Sequence, residues 1–323
     1  MRSKIYFWAL IVSLWMVVVA CSSDSENQII FPTRDIVFHS SQDDIPSIGF
    51  INIDGTGLLI YPSKNYVHRP VWVTPDLIVF LEVRENSSTP YRSPANLWYW
   101  HSGEKQAVCS NYRQQFETRV TPSGKQGEVF VILGETEIEL LSGPNFQGSC
   151  VLIESTVDYS AEDGYSDRRI LDLNYSSEAK VLLFTEIWDY YTPRVSLHMI
   201  ALNLTNQESH DIGEGFNPAL SHDGALIAFV RFDGIYLAPI DNLSDASKIV
   251  TYDSTDNDSF GILEDSPPAP LWSSDDRYLL YHKCDLKPEP CRTTSDFSIF
   301  LFDLATGEES KIIDGGLSPF WRP

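Results

Sequence analysis

Apolar residues in this chain follow two rhythms, and both are those of β-strands. One is a short apolar run that closes near an aromatic residue, as in DLIVFLEV (76–83), ALIAFVR (225–231) and RYLLYHK (277–283). The other alternates apolar with polar positions before a turn, as in IGFINIDGTG (48–57), SLHMIALNLTN (196–206) and SIFLFDLATGE (298–308). Between them stand Asp-Gly, Ser-Gly and Thr-Gly pairs, which supply the positive φ of a tight hairpin. The chain reads as hairpin after hairpin.

The hairpins repeat. PVWVTPDLIVFLEV (70–83), PALSHDGALIAFVR (218–231) and PLWSSDDRYLLYHK (270–283) each open on proline and place a large apolar residue two positions on. Each then turns on polar residues and ends in a second apolar run. TRVTPSGKQGEVFVI (118–132) and LNYSSEAKVLLFTE (173–186) are fainter copies. Successive copies start 45 to 55 residues apart. Each has room for a third, alternating strand and a short fourth one, such as LLIY (58–61), AVC (107–109), HDI (210–212), KIV (248–250) and KII (311–313). Four strands in about 50 residues, repeated, is the spacing of propeller blades.

Pro319-Phe320-Trp321 matches Pro70-Val71-Trp72 position for position, and the chain stops there. RDIVFHSS (34–41) looks like the second strand that this fragment lacks. The expected fold is therefore all-β: a six-bladed β-propeller over residues 34–323, closed by N- and C-terminal strands in one blade. Such a ring leaves only short, protected sheet edges. Trp72, Trp272 and Trp321 occupy equivalent positions and are expected to fill the wedges between blades.

The pattern P-x-W-S-x-D-G-x-x-[IL]-[AL]-[FY], with a D-G or T-G turn after the third strand, resembles the WD40-like repeats of TolB-type propellers. The resemblance spans roughly residues 34–323 and is clearest at 216–252 and 268–314. It implies an envelope scaffold that binds other proteins. The chain lacks an obvious N-terminal α/β domain of that family, which sets a literal Tol-Pal role in doubt.

Residues 1–20 depart from this rhythm. Arg2 and Lys4 precede an apolar stretch from Ile5 to Ala20, and a polar run from Ser22 to Gln28 follows Cys21. This is the grammar of a secretory signal. Val18-Val19-Ala20-Cys21 resembles the lipobox of bacterial lipoproteins, which implies cleavage before Cys21 and acylation of that residue. Residues 1–20 are then a signal peptide and 21–33 a lipidated cysteine with a flexible tether. The protein would be extracytoplasmic, periplasmic or at the cell surface, and held to the cell membrane by acyl chains that contribute ~0.8 kcal/mol per buried methylene.

Composition narrows the partners. The chain has 23 Lys and Arg against 45 Asp and Glu, a net charge of −22, and loss of Arg2 and Lys4 would take it to −24. That charge repels phosphate backbones and argues against nucleic acid. Export also places the remaining cysteines in an oxidising compartment. Cys284 and Cys291 bracket a short proline-containing loop and are the expected disulfide, stabilising by ~2 kcal/mol. The pairing of Cys109 and Cys150 stays open.

Chemistry is sparse. No G-x-S-x-G, P-loop or His-Glu-x-x-His occurs, and no cofactor motif is present. The seven histidines form no metal-spaced cluster. His39 and His282 both follow the aromatic of a second strand, but a third ligand is not visible. The long insertions between second and third strands, 83–96, 186–196 and 282–297, share one face of a propeller. They carry Tyr91, Arg92, Trp188, Tyr190, Tyr191 and Arg194, the residue types enriched at binding patches. The reading that follows is a membrane-anchored, non-enzymatic scaffold for a protein or envelope glycan. The alternative is a propeller enzyme, a metal-assisted lyase or hydrolase, with its site at the channel mouth.

Overall fold

Among the described residues, twenty-four strands form six four-stranded antiparallel sheets. The computed structural model describes residues 34–40, 45–83, 95–101, 104–107, 119–125, 127–133, 137–143, 146, 148–154, 169–188, 196–251, 269–284 and 294–323. Among them there is no α-helix, and none long and apolar enough to cross a membrane.

The first blade is assembled from both ends of the chain. Its strands run β24 (Gly316–Trp321), β1 (Ile36–Ser40), β2 (Ser47–Ile51) and β3 (Leu59–Pro62). Ile36 pairs with Trp321 and Val37 with Phe320, as the matched tail and head fragments predict. The second blade is β4 (Tyr66–Thr74), β5 (Leu77–Val83), β6 (Ala95–His101) and β7 (Glu104–Ala107). The third is β8 (Arg119–Pro122), β9 (Val129–Leu133), β10 (Glu137–Ser142) and β11 (Gly148–Glu154). The fourth is β12 (Arg169–Ser176), β13 (Val181–Trp188), β14 (Ser196–Asn203) and β15 (Glu208–Glu214). The fifth is β16 (Phe216–Leu220), β17 (Leu226–Arg231), β18 (Gly234–Pro239) and β19 (Ser247–Thr251). The sixth is β20 (Leu271–Trp272), β21 (Tyr278–Cys284), β22 (Phe297–Asp303) and β23 (Glu308–Asp314).

Six apolar clusters sit between blades and account for the unbroken apolar second strands. Val37 and Phe50 pack on Trp72, Ile78 and Phe80 of the second blade. Val79 and Tyr99 pack on Val129 and Val131 of the third. Phe130 and Ile132 meet Leu182 and Phe184, and Leu183 and Met199 meet Ile227 and Phe229. Ala228 and Val230 meet Leu279 and Tyr281. The sixth cluster, Ile36, Phe38 and Ile51 with Leu280, Ile299 and Leu301, joins the last blade to the first. Consecutive residues of a strand point to opposite faces, so each second strand feeds two wedges and must be apolar throughout. Each fully buried large side chain contributes roughly 1.5–3 kcal/mol.

The tryptophans do more than fill space. Trp272 Nε1 donates to the Ala219 carbonyl of the preceding blade at 2.9 Å, and Trp321 Nε1 donates to the Leu271 carbonyl at 3.1 Å. These equivalent bonds stitch neighbouring inner strands together. Trp72 is fully buried and Trp272 nearly so, while Trp321 is only half-buried.

The inner strands also share a bulge. Arg69, Asn217 and Ser318 each stand immediately before a proline and adopt φ of 53°, 49° and 47°. Strand register shifts there in the first, second and fifth blades. A bulge twists the strand and re-aims one backbone N–H. At Asn217 that N–H donates to Asp172 Oδ2 at 2.8 Å and Thr185 Oγ1 at 3.1 Å, both in the preceding blade.

Candidate binding cavity at the channel mouth

In the second, fifth and sixth blades the first hairpin turn is built by a hydroxyl and a carboxylate two residues on. Ser221 Oγ donates to Asp223 at 2.7 Å, Ser273 Oγ to Asp275 at 2.6 Å, and Thr74 Oγ1 to Asp76 at 2.6 Å. The same serine oxygens accept from the backbone N–H of Leu226 and Tyr278, which opens the second strand. These hydroxyl bonds are the main cause that holds the carboxyls of Asp76, Asp223 and Asp275 below the usual range.

At this end of the channel, residues of the five blades other than the second enclose a cavity of about 510 Å³. Thr121 and Pro122 come from the third blade, Tyr175 to Ser177 from the fourth, and Leu220 and His222 from the fifth. Trp272 to Asp275 and Tyr278 come from the sixth, and Phe320 to Pro323 from the first. The lining is aromatic and hydroxyl-rich. Tyr175 leans on Phe130 with ring centroids 4.8 Å apart; burial first, and the Glu128 charge second, push its phenol pKa up.

Two charged side chains organise the rim. Asp276 stands at φ 55°, where the fifth blade has Gly224 at φ 74°. A non-glycine residue there is strained, and its carboxylate is put to use. It accepts from His222 N at 2.8 Å, His222 Nδ1 at 2.9 Å and Asp223 N at 3.1 Å, tying the fifth and sixth turns together. Arg322 spans the other side. Its N–H donates to Asp35 O at 2.7 Å, its Nη2 donates to Pro75 O at 2.8 Å, and its guanidinium lies 5.4 Å from the Trp72 ring centre. Aromatic faces, hydroxyls and an imidazole in a concave site suit an extended polar chain.

The strand ends that lead into the loops expected to form a binding face lie at the opposite end of the propeller. Of the residues expected there, Tyr91, Arg92, Tyr190, Tyr191 and Arg194 lie outside the described residues. Trp188 ends β13 rather than lying in a loop. Its ring stacks on His198 at 3.8 Å and 15°, and its Nε1 donates to Glu186 at 2.8 Å. Cys284 is disulfide-bonded; Cys291, like Cys21 and Cys109, lies outside the described residues. Cys150 is a free, exposed thiol.

His39 and His282 come together as the sequence places them, in neighbouring blades, and both are buried. Burial, and then the nearby His282, lower the His39 pKa to about 3. Thr185 holds the equivalent position in the fourth blade, where it accepts from the bulge of the next one. The position recurs because it faces the neighbouring inner strand, which is a structural reason. Among the described residues no three His, Cys, Asp or Glu side chains converge as a metal site.

From the sequence a site at the channel mouth was only the alternative, enzymatic reading, and its walls were not legible. They come from five copies of the repeat, and each turn on its own looks like ordinary hairpin chemistry. The one available signal was Asp276, an aspartate where the repeat asks for glycine.

Fold and site define a closed six-bladed β-propeller with one hydroxyl- and aromatic-lined channel mouth. TolB from Acinetobacter baumannii has the same fold, with a TM-score of 0.58 at 13% identity over 90% of this chain and 66% of that one. A TolB protein from Agrobacterium tumefaciens aligns with a TM-score of 0.54 at 13% identity, over 89% of this chain and 92% of that one. An oligogalacturonate lyase solved with manganese aligns at 0.49 and 13% identity, over 87% of this chain and 72% of that one, too distant to carry a site across. No protein-family model and no curated protein sequence matches the chain.

Proposed function

We propose that this protein is a lipid-anchored, extracytoplasmic scaffold whose propeller binds an extended segment of a protein partner, or an envelope glycan, at the channel mouth without catalysing a reaction. One observation carries the reading: a cavity of about 510 Å³ walled by aromatic and hydroxyl residues from five blades. Such a wall offers stacking surface and hydrogen bonds to a chain threaded across it, and the rigid ring holds it ready. The anchor rests on the leader and Cys21, which imply acylation and a tether to the propeller.

Plugging the mouth tests the binding reading. Ser177 and Ser274 are exposed on the rim. Ser177→Trp and Ser274→Trp fill space without emptying the core. Each is expected to reduce capture of envelope proteins or glycan fragments by the full chain at least ~tenfold, a loss of ~1.4 kcal/mol. Thermal melting should stay unchanged. Capture that survives both plugs rejects this site. The anchor has its own test: Cys21→Ser should move the protein from the membrane fraction to the soluble one and abolish incorporation of labelled palmitate.

A further inference from the structure

Among the described residues the propeller has six outer strands, and five of them carry features that discourage further pairing. β7 carries Glu104 and Lys105, and β19 carries Lys248. β15 carries Glu208, Asp211 and Glu214, and β23 carries Glu308, Glu309, Lys311 and Asp314. β3 is four residues long and ends on Pro62. Charge, proline and brevity are the devices that stop a sheet edge from recruiting another strand. β11, GSCVLIE, has none of them before Glu154 at its end. It is seven residues long and pairs only with β10 among the described strands. Gly148 to Val151 are exposed, and Val151 is 51% exposed.

We propose that β11 is a homodimer interface and pairs antiparallel with β11 of a second copy. Copies of a chain with net charge −22 repel one another, so close approach favours a neutral strip. A strand pairing with itself obeys two-fold symmetry, which makes the contact self-complementary. With the axis at Cys150, Ser149 faces the partner's Val151, Gly148 faces the partner's Leu152, and Cys150 faces the partner's Cys150. Glu154 falls beyond the partner's strand. An axis at the middle residue of β15 opposes Glu208 to the partner's Glu214 and Asp211 to the partner's Asp211. On β23 it opposes Glu308 to the partner's Asp314 and Lys311 to the partner's Lys311. Like charges directly opposite destabilise a strand pair, and β11, uncharged before Glu154, meets its own copy without them. The free thiol of Cys150 falls at the axis.

Light scattering on the full chain, purified in detergent and run over a concentration series, tests this. The expected mass is that of a dimer. Cys150→Lys places two like charges on the axis and should weaken dimerisation at least ~tenfold. Val151→Lys should act in the same direction, and at concentrations where the parent is monomeric neither should lower the melting temperature, since both positions are exposed. Diamide should cross-link the dimer: two Cys150 thiols form one disulfide while the reagent's N=N bond takes up two electrons and two protons. Cys150→Ser should abolish the cross-link and leave the non-covalent dimer. A monomer at every concentration, a dimer indifferent to both lysines, or a cross-link that persists in Cys150→Ser overturns the proposal.

Discussion

The first and fifth blades have the same four-strand plan but opposite chain geometry. The fifth blade is made from one continuous stretch, and each of its strands follows the last through a short turn. The first blade borrows its inner strand from the far end of the chain. The fifth can form early, because its contacts are local; the first must wait for loop closure over the whole domain. Its fastenings are correspondingly numerous: the β1–β24 ladder, the Trp321 bond to Leu271, and Arg322 bridging Asp35 and Pro75. The difference teaches that the local repeat builds blades while a few terminal residues decide whether they become a ring.

The largest effect should come from removing residues 319–323. That strips Phe320 and Trp321 from three apolar clusters and bares the inner edge of β1. Each of these half-buried aromatics contributes up to ~3 kcal/mol, and with the lost ladder bonds the sum is a large part of the stability of a domain. The truncated chain should lose its cooperative thermal transition, as circular dichroism or calorimetry will show.

An intermediate effect separates the closing blade by pH. His39 has a folded pKa of about 3, below its value of 6.5 in the unfolded chain. The unfolded state therefore takes up the proton first. His39's contribution is fully present above pH 6.5 and is lost as pH falls from 6.5 toward 3, at ~1.4 kcal/mol per unit and ~4–5 kcal/mol in all. The turn carboxylates Asp76, Asp223 and Asp275, with lowered values, lose theirs only below the ordinary carboxylate range. Urea titrations between pH 7 and 4.5 should show a slope that His39→Leu flattens. An equal slope in the variant assigns the effect elsewhere.

The smallest effect concerns the staple between the fifth and sixth turns. Asp276→Ala removes three hydrogen bonds to His222 and Asp223 and keeps a Cβ at positive φ. A loss of ~1–2 kcal/mol is expected, with chemical shifts moving at His222. Asp276→Gly should lose less, because glycine relieves the backbone strain.

Most of the ring was legible because the second strands are buried on both sides and so spell themselves in unbroken apolar letters. LIAFV and YLLY cannot sit elsewhere, and Pro319-Phe320-Trp321 announced its missing partner. The third blade was only half legible. Its outer strands, EIELLS and GSCVLIE, cover fewer wedge positions, and GSCVLIE is mostly exposed, so burial imposes little pattern on them. The bulges at Arg69, Asn217 and Ser318 were hidden because a residue before proline is ordinarily extended; tertiary bonds such as those at Asn217 override that preference. The cavity was hidden because no single repeat contains it.

Native-state hydrogen exchange on β24 tests the closed ring most directly. In a closed ring the protected amides of Gly316–Trp321 exchange only through global unfolding, with the same opening free energy as those of β17 in the fifth blade. If the β24 amides exchange instead like a frayed terminus while β17 stays protected, the tail does not lock the circle and the account fails.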